Sequence, residues 1–424
     1  MSGIRPGADN RTGGPERQVP VGEDELERAL RETMTRQVAT SRLFDSRRAE
    51  AVMRRSRRVG RRRTLTGLAL AGVATVLVST GVAQINMADG GVGPPTVVLG
   101  DPPGPSAPAT SSPPGPSFGP IRAGLDLIID GWLAGSGGEM RELAGVSGIE
   151  RAQRIHDRGG WLLTSVDSTA GRTLWWAPAG DGKPQVVLAA AEAVAISADG
   201  RQIAWRDGPH VVAAGVVAGQ VIALTRTPAP TGAVPVGFAG DEVLIQQPDD
   251  GGMSVWNRAL DGVPGPVNPD VRAVYGMRPD GRLVGLVSSG PTRRSCVALL
   301  DPADDLAAVR TGCGPEPAAD GLGAVSPDGR WLLVNGTAGT ALLVDLATLA
   351  TTAMSHPAGP VLAGPAAWTR AGTALHIDPA GKLLRVTPER VLAGERPTPW
   401  SIEGAPPGRR PVVVADVPAP PDGA

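Results

Sequence analysis

The chain of 424 residues contains few phenylalanines, tyrosines, histidines, cysteines and lysines. It contains three Phe, one Tyr, four His and two Cys, and lysine occurs only at Lys183 and Lys382. The four histidines share no metal-ligand spacing, and His376, within an apolar strand run, is expected to be a satisfied core or rim residue.

Motifs of enzymatic sites are also missing. There is no Gly-x-Ser-x-Gly elbow, and GSGG at 135–138 is not followed by the Lys-Ser/Thr of a phosphate loop. The acidic pairs at 249–250 and 304–305 fit hairpin turns better than calcium sites. We therefore expect no catalytic, cofactor-binding or metal-binding residues, and a protein that is not an enzyme.

One long hydrophobic run stands out. Leu65–Ile85 has 21 residues without charge, which as a helix would be about 31 Å long, enough to cross a bilayer. Nine arginines lie in residues 47–63 before it, and the short segment after it has no cation. The positive-inside rule predicts a transmembrane helix at 64–85 in the cell membrane, with 1–63 cytoplasmic and the rest extracytoplasmic. A cleaved signal peptide is the alternative.

The segments on either side of this helix are too polar or too short to bury a core. Ten of the 27 residues from Pro94 to Pro120 are proline, so 86–120 is predicted to be an extracytoplasmic linker. Asp24 and Glu27 form a possible capping box for a helix with one apolar stripe. Residues 24–38 would dock on a cytoplasmic protein partner, lie on the membrane or form a marginal helix.

Charge is divided unevenly along the chain. Residues 1–63 contain 16 Arg against nine Asp and Glu, while the whole chain has a net charge of −1, which leaves −8 for the remainder. An outer domain of that charge is not expected to bind nucleic acid. The arginines at Arg54–Arg63 are predicted to orient the helix and contact anionic lipid headgroups, an interpretation favoured over nucleic-acid binding.

A short turn sequence is prominent in the second half of the chain. In AVSPDGRWLLV (324–334), two apolar runs flank Ser-Pro-Asp-Gly. Pro327 presets φ for the second position of a type I turn, Asp328 suits the third, and Gly329 takes the positive φ of a three-residue hairpin with a bulge. The run 331–334 is apolar without alternation, which predicts a strand covered on both faces.

The same turn recurs at intervals of about 40 residues. AISADGRQIAW contains Asp199 and Gly200, and GMRPDGRLVGL contains Asp280 and Gly281. Weaker copies centre on positions 157, 240, 371 and 407. Several short strands per repeat at this period are typical of a β-propeller.

The Ser-Pro-Asp-Gly-Arg turn followed by an apolar strand resembles the TolB-like or WD-type propeller repeat over roughly residues 150–420. The Gly-His and Trp-Asp dipeptides of the WD repeat are absent, which favours the bacterial TolB-like type. The use of arginine for lysine, with abundant Ala, Gly, Pro and Val, indicates a high-GC, actinobacterial genome. We expect an all-β propeller over 121–424 with seven blades, or six; a β-sandwich is the alternative.

Both ends of this domain carry an incomplete blade. LDLII (125–129) has no blade of its own, and Pro411–Val417 has little chain after it to finish one. We expect these segments to share the last blade, which would remove exposed sheet edges.

The two cysteines flank a single predicted hairpin. Cys296 and Cys313 lie at comparable distances from an Asp- and Pro-rich turn at 301–305, so antiparallel pairing would bring them within disulfide range. Both cysteines follow the hydrophobic run, so they would lie on the extracytoplasmic side, in an oxidising environment. We expect a disulfide, with two buried free thiols as the alternative.

Two classes of function are compatible with these features. The first is an extracytoplasmic binding or scaffold module that holds a protein, peptide or glycan on a propeller face. The second is a transmembrane sensor or regulator that couples the propeller to a cytoplasmic partner of the N-terminal segment. We expect the first, and no cofactor in either.

Overall fold

A computed structural model describes strand residues 97–98 and residues 124–155, 159–260, 262–349, 355–402 and 410–416. The fold of these residues is all-β and propeller-like, as expected. One nine-stranded sheet joins strands from both ends of the domain, and five antiparallel sheets of three or four strands follow one another along the chain. Within the described ranges no helix has the length and apolarity needed to cross a membrane. The predicted helix at 64–85, the segments 1–63 and 24–38 and most of the linker lie outside them.

The N-terminal half contributes three sets of strands after four short strands. The short strands are β1 (Val97–Val98), β2 (Leu127–Ile129), β3 (Trp132–Ala134) and β4 (Met140–Glu142). The first set is β5 (Ile149–Arg154), β6 (Trp161–Ser165), β7 (Arg172–Ala177) and β8 (Gln185–Ala191). The second is β9 (Val194–Ile196), β10 (Gln202–Asp207), β11 (His210–Val217) and β12 (Gln220–Pro228), and the third is β13 (Val234–Ala239), β14 (Glu242–Gln246) and β15 (Met253–Trp256).

The C-terminal half continues with three more sets and a final strand. The fourth set is β16 (Val271–Met277), β17 (Leu283–Ser289), β18 (Arg294–Asp301) and β19 (Ala307–Gly312). The fifth is β20 (Gly323–Val325), β21 (Trp331–Asn335), β22 (Thr340–Asp345) and β23 (Ser355–Pro360). The sixth is β24 (Ala367–Trp368), β25 (Ala374–Ile377) and β26 (Leu383–Val386), followed by the helix α1 (Pro388–Leu392) and β27 (Val412–Ala415).

The two ends of the domain are joined by β27. It pairs antiparallel with β2, opposing Val413 to Leu127, so β27, β2, β3 and β4 form a group that we call the closing strands. On its other side β27 pairs in parallel with β5, where Val414 opposes Ala152. The prediction that the segments near 125–129 and 411–417 share one sheet is confirmed.

Apolar residues are buried between neighbouring sets of strands. The described residues form seven hydrophobic clusters, and each contains side chains of two sets that are consecutive in the chain or of the closing strands and an adjacent set. The second strand of a set is packed from both sides. All five residues of β21, WLLVN, are buried, which confirms the predicted strand covered on both faces.

Buried polar side chains form hydrogen bonds between one set of strands and the loop that leads to the next set. Arg206 on β10 is 4% exposed and donates to the carbonyl oxygens of Pro230 (2.8 Å) and Ala233 (2.5 Å), in the loop that leads to β13. Asn335 on β21 donates to the carbonyl of Leu362 and accepts from its backbone N–H, in the loop that leads to β24. Because these loops are held at fixed points, the sets keep a defined spacing.

A fifth strand extends the first set at its outer edge. Val97 and Val98 of β1, which belong to the Pro-rich segment, pair antiparallel with Ala189 and Leu188 of β8. Ala190 beside them has φ +60, and the pairing of β7 with β8 is irregular at this point. The edge of β8 is therefore irregular where β1 joins it.

The disulfide prediction is confirmed. Cys296 lies on β18 and Cys313 directly after β19, and their Sγ atoms are bonded with the Cα atoms 4.3 Å apart. The pairing of Val297 with Gly312 continues to the two cysteines, so the bridge closes the open end of this hairpin. Asp301 begins the turn and accepts a hydrogen bond from the backbone N–H of Ala303 at 3.0 Å.

Candidate binding face

The repeated Asp-Gly sequences form the turns between the first and second strands of three sets. In the fifth set, Asp328 Oδ1 accepts hydrogen bonds from Ser326 Oγ (2.5 Å) and the backbone N–H of Arg330 (3.0 Å). Ser326 Oγ in turn accepts from the backbone N–H of Trp331 at 2.8 Å. Gly329 has φ +70, the conformation expected for the bulge position.

In the other two copies the aspartate also accepts a hydrogen bond from the backbone N–H two residues later. Asp199 accepts from Ser197 Oγ (2.6 Å) and from the backbone N–H of Arg201 (3.0 Å), and Gly200 has φ +70. Asp280 accepts from the backbone N–H of Arg282 at 3.2 Å, and Gly281 has φ +79. The structure thus places all six predicted turn residues in turns, where the aspartates act on the backbone.

Turns of neighbouring sets contact each other. Gln153, near the end of β5, donates to the carbonyl of Ala198 in the turn of the second set at 2.7 Å. Gln202 donates to Asp241 in the turn of the third set at 2.8 Å. A Cβ on Gly329 would lie 2.7 Å from Pro279 Cδ, so the fifth turn packs closely on the fourth. These turns therefore lie on one side of the domain, which we call the turn face.

Most charged side chains at the three Asp-Gly turns form ion pairs with nearby residues. Arg278 Nη1 lies 3.4 Å from Asp280 Oδ2, and Arg330 Nη2 lies 3.8 Å from Asp345 Oδ2. The guanidinium of Arg330 also lies 4.7 Å from the centre of the Trp331 ring. Such exposed pairs contribute about 1 kcal/mol or less to stability and mainly fix side-chain positions.

A pocket lies where the turn face meets the closing strands. Its volume is about 420 Å³, and we call it the junction pocket. The turn between β24 and β25 forms one wall, and residues beside β2 and β27, with one residue of β26, form the rest. It is lined by Gly124, Leu125, Thr369, Arg370, Ala371, Thr373, Arg385 and Asp416.

The two arginines that line the junction pocket are positioned by contacts with neighbouring residues. Thr369 Oγ1 accepts a hydrogen bond from the backbone N–H of Thr373 at 3.2 Å, which shapes the turn that carries Arg370. Arg385, on β26, places its guanidinium 5.6 Å from the centre of the Trp400 ring. Arg370 and Arg385 are both exposed, so they present two guanidinium groups to solvent at one site.

The buried carboxylate of Asp126 lies next to this pocket. Asp126 is 5% exposed, and its oxygens accept from the backbone N–H of Ser136 and from Trp161 Nε1, both at 2.9 Å. Arg154 Nη1 lies 3.6 Å from Asp126 Oδ2 and 3.9 Å from Asp416 Oδ2. Burial of the charge is tolerated because donors and a cation surround it.

Sequence reasoning missed this cluster. The one available signal was a single aspartate inside the apolar run LDLII, since an unpaired carboxylate is rarely buried. The partners of Asp126 come from β5, β6 and the loop after β3, and Asp416, directly after β27, joins the cluster through Arg154. They are brought together only when the closing strands pair with the first set.

His376 on β25 differs from the expectation. It is 0% exposed, but within the described part of the chain neither ring nitrogen has a hydrogen-bond partner, so the expected satisfied core residue is buried but not satisfied. Burial lowers its pKa from 6.5 to about 4, although the backbone of Ile377 and the carboxylate of Asp378 favour the protonated form. A neutral imidazole enclosed in this way has no access to a substrate.

Comparison with known proteins adds little to this description. The chain matches no protein-family model. It matches no curated protein. A solved structure of hydrazine synthase from Kuenenia stuttgartiensis is similar at 14% identity and a TM-score of 0.41, covering 58% of this chain and 78% of that one. A likeness at that TM-score carries no argument about this chain.

Proposed function

We propose that the domain is a seven-bladed propeller of the TolB-like or WD type. In the described residues, six sets of strands and the closing strands make seven groups. One hydrophobic cluster lies between each pair of neighbouring groups, which gives seven clusters. The parallel contact of β27 with β5 brings the closing strands next to the first set, as closure of a ring of groups requires. These contacts favour seven blades over six.

We further propose that this propeller is anchored in the cell membrane and faces outward. The support is the uncharged run Leu65–Ile85 and the arginines that precede it. Protease added to intact protoplasts should remove the propeller and leave an N-terminal stub containing the anchor. Survival of the propeller until the cells are lysed would overturn this orientation.

The proposed activity is non-enzymatic binding of a protein, peptide or glycan at the turn face. The observation that carries it is the junction pocket, a cavity at the edge of the turn face that two exposed arginines, Arg370 and Arg385, help to line. Exposed residues on loops held by a rigid scaffold commonly serve binding. The junction pocket is therefore the part of this face where we expect a ligand to bind.

Affinity capture tests this function. The full chain, tagged and solubilised from its native envelope with detergent, should retain a component that an otherwise identical chain with Arg370→Glu and Arg385→Glu loses. Retention of nothing by the unaltered chain would refute a binding function. Both substitutions are at exposed positions, so the fold should be preserved, which a thermal unfolding curve would verify.

The alternative is a sensor that signals to a cytoplasmic partner of residues 24–38. The two functions differ in their dependence on the N-terminal segment. Removing residues 2–46, which keeps the arginines before the span, should leave a pure binder active and disable a sensor. Loss of the downstream response with ligand capture intact would favour the sensor.

A further inference from the structure

We propose that the outer edge of β8 is a docking site for an extended strand of a partner protein, and that β1 fills part of this edge when the partner is absent. The edge shares no residue with the junction pocket, so the inference goes beyond the binding function proposed for the turn face. It is carried by the pairing of β1 with β8, which brings Val97 opposite Ala189 across about 90 residues of chain.

The sequence of β8 leaves its edge open to pairing. All seven residues, Gln185–Ala191, are uncharged and none is proline, so the strand lacks the charges and missing donors that blunt an edge. Val187 and Leu188 are 0% exposed, so side chains of this strand are covered by the domain. Among the described residues its outer edge pairs with β1 alone, and an added strand would continue the sheet.

Several other outer strands are protected by their own sequence or by the chain that follows them. The strand β23 contains two prolines, which lack backbone donors. Beyond β15, Asn268 exchanges backbone hydrogen bonds of 2.8 and 3.0 Å with Met253. Beyond β26, Trp400 exchanges two of 3.0 Å with Leu383. The segment that covers β8 is different, because it precedes the whole domain instead of following the strand that it protects.

The resident strand β1 uses only part of the edge. Its two valines pair with Leu188 and Ala189. The next residue of β8, Ala190, has φ +60, so regular pairing is expected to extend only in the other direction, towards Gln185. A strand that runs along 185–189 would pair at five positions where β1 pairs at two. Its additional backbone hydrogen bonds would allow it to displace β1.

The chemistry of the resident strand indicates what the partner segment is. The strand β1 lies in the uncharged sequence Pro-Thr-Val-Val-Leu-Gly at 95–100, which is rich in β-branched residues. In strand addition the main-chain hydrogen bonds provide affinity and alternate side chains provide selectivity. Since β8 offers no charged side chain, an uncharged segment with β-branched residues fits this edge, and a charged one would gain no ion pair from it.

Binding of a fluorescent, capped heptapeptide, Thr-Val-Thr-Val-Thr-Val-Thr, to the full chain in detergent tests the proposal. A Val97→Pro/Val98→Pro variant loses both backbone donors of β1 and should leave the edge free. Fluorescence anisotropy should show that the peptide binds this variant roughly tenfold more tightly than the unaltered chain, the ratio expected if β1 leaves the edge free in about one molecule in ten. Ala107→Pro/Ala109→Pro, which adds two prolines elsewhere in the Pro-rich segment, is the matched control and should bind as the unaltered chain does.

The type of contact and its position are checked separately. The same peptide N-methylated at its three central residues keeps its side chains but loses donors for strand pairing, so it should not bind. With saturating peptide, amide hydrogen exchange in the Val97→Pro/Val98→Pro variant should slow at 185–189 and stay unchanged in β12, which is also an outer strand. A Val97→Asp/Val98→Asp variant, which frees the edge by charge, should give the same results.

Several results would overturn the proposal. These are no binding of the peptide by either variant of β1, equal binding by these variants and the unaltered chain, binding of the N-methylated peptide, or protection of β12 as strong as that of β8. Concentration-dependent dimerisation of the variants that the peptide reverses would assign the edge to a second copy of the chain instead of a partner protein.

Discussion

The burial of His376 predicts that this domain loses stability in mild acid. Between pH 6.5 and about 4 the imidazole of the unfolded chain takes up a proton, whereas that of the folded chain stays neutral. Protons are therefore bound mainly by the unfolded state, and unfolding becomes easier as the pH falls. The contribution is fully present above pH 6.5 and is lost once the pH reaches about 4.

The size of this effect follows from the pKa difference. The pKa falls from 6.5 to about 4, and each unit corresponds to 1.36 kcal/mol, so the free energy of unfolding should drop by about 3 kcal/mol. A His376→Leu variant has no proton to bind and removes an unsatisfied buried imidazole. It should be at least as stable as the unaltered chain at pH 7 and lose about 3 kcal/mol less between pH 6.5 and 4.

Urea unfolding of the full chain in detergent at pH 7, 5.5 and 4.5 measures this difference. Carboxylates that titrate in the same range affect both chains equally, so the comparison isolates His376. Parallel pH profiles for the His376→Leu variant and the unaltered chain would refute the argument.

Three further predictions concern the closures of the fold. Replacing Cys296 and Cys313 by alanine should lower the free energy of unfolding by about 3 kcal/mol, and an unchanged urea midpoint would contradict this. A chain ending at residue 405, which lacks β27, should melt well below one ending at residue 416; equal melting would show that β27 is dispensable. Val97→Cys with Ala189→Cys should form a disulfide under oxidation, which Val97→Cys with Gln185→Cys should not, since β1 opposes position 189.

Features encoded in short stretches of chain could be predicted from the sequence. The turn at Asp328 and Gly329 is specified by five consecutive residues, because the Asp328 carboxylate accepts from the Ser326 hydroxyl and from the Arg330 backbone N–H within the turn. The disulfide was predictable because one hairpin sets the separation of its cysteines. The shared sheet at the two ends followed from two apolar segments that had no other partner.

The candidate site could not be predicted because its parts are far apart in the chain. The junction pocket combines residues near 125, 370, 385 and 416, which meet only after the sixth set packs on the closing strands. The state of His376 was missed for a related reason. Apolar neighbours predict burial, but whether a buried ring nitrogen finds a partner depends on the geometry of the packed strands.

The pairing of β27 with β2 has a consequence for synthesis. Ile128 and Val412 are separated by about 280 residues, which a ribosome adds in roughly 15–60 s at about 5–20 residues per second. Throughout that interval β2 has emerged without its partner, and its apolar edge is open to other chains. A chaperone that occupies this edge until translation is nearly finished would raise the yield of folded protein, and stalling the ribosome before β27 would leave the edge exposed.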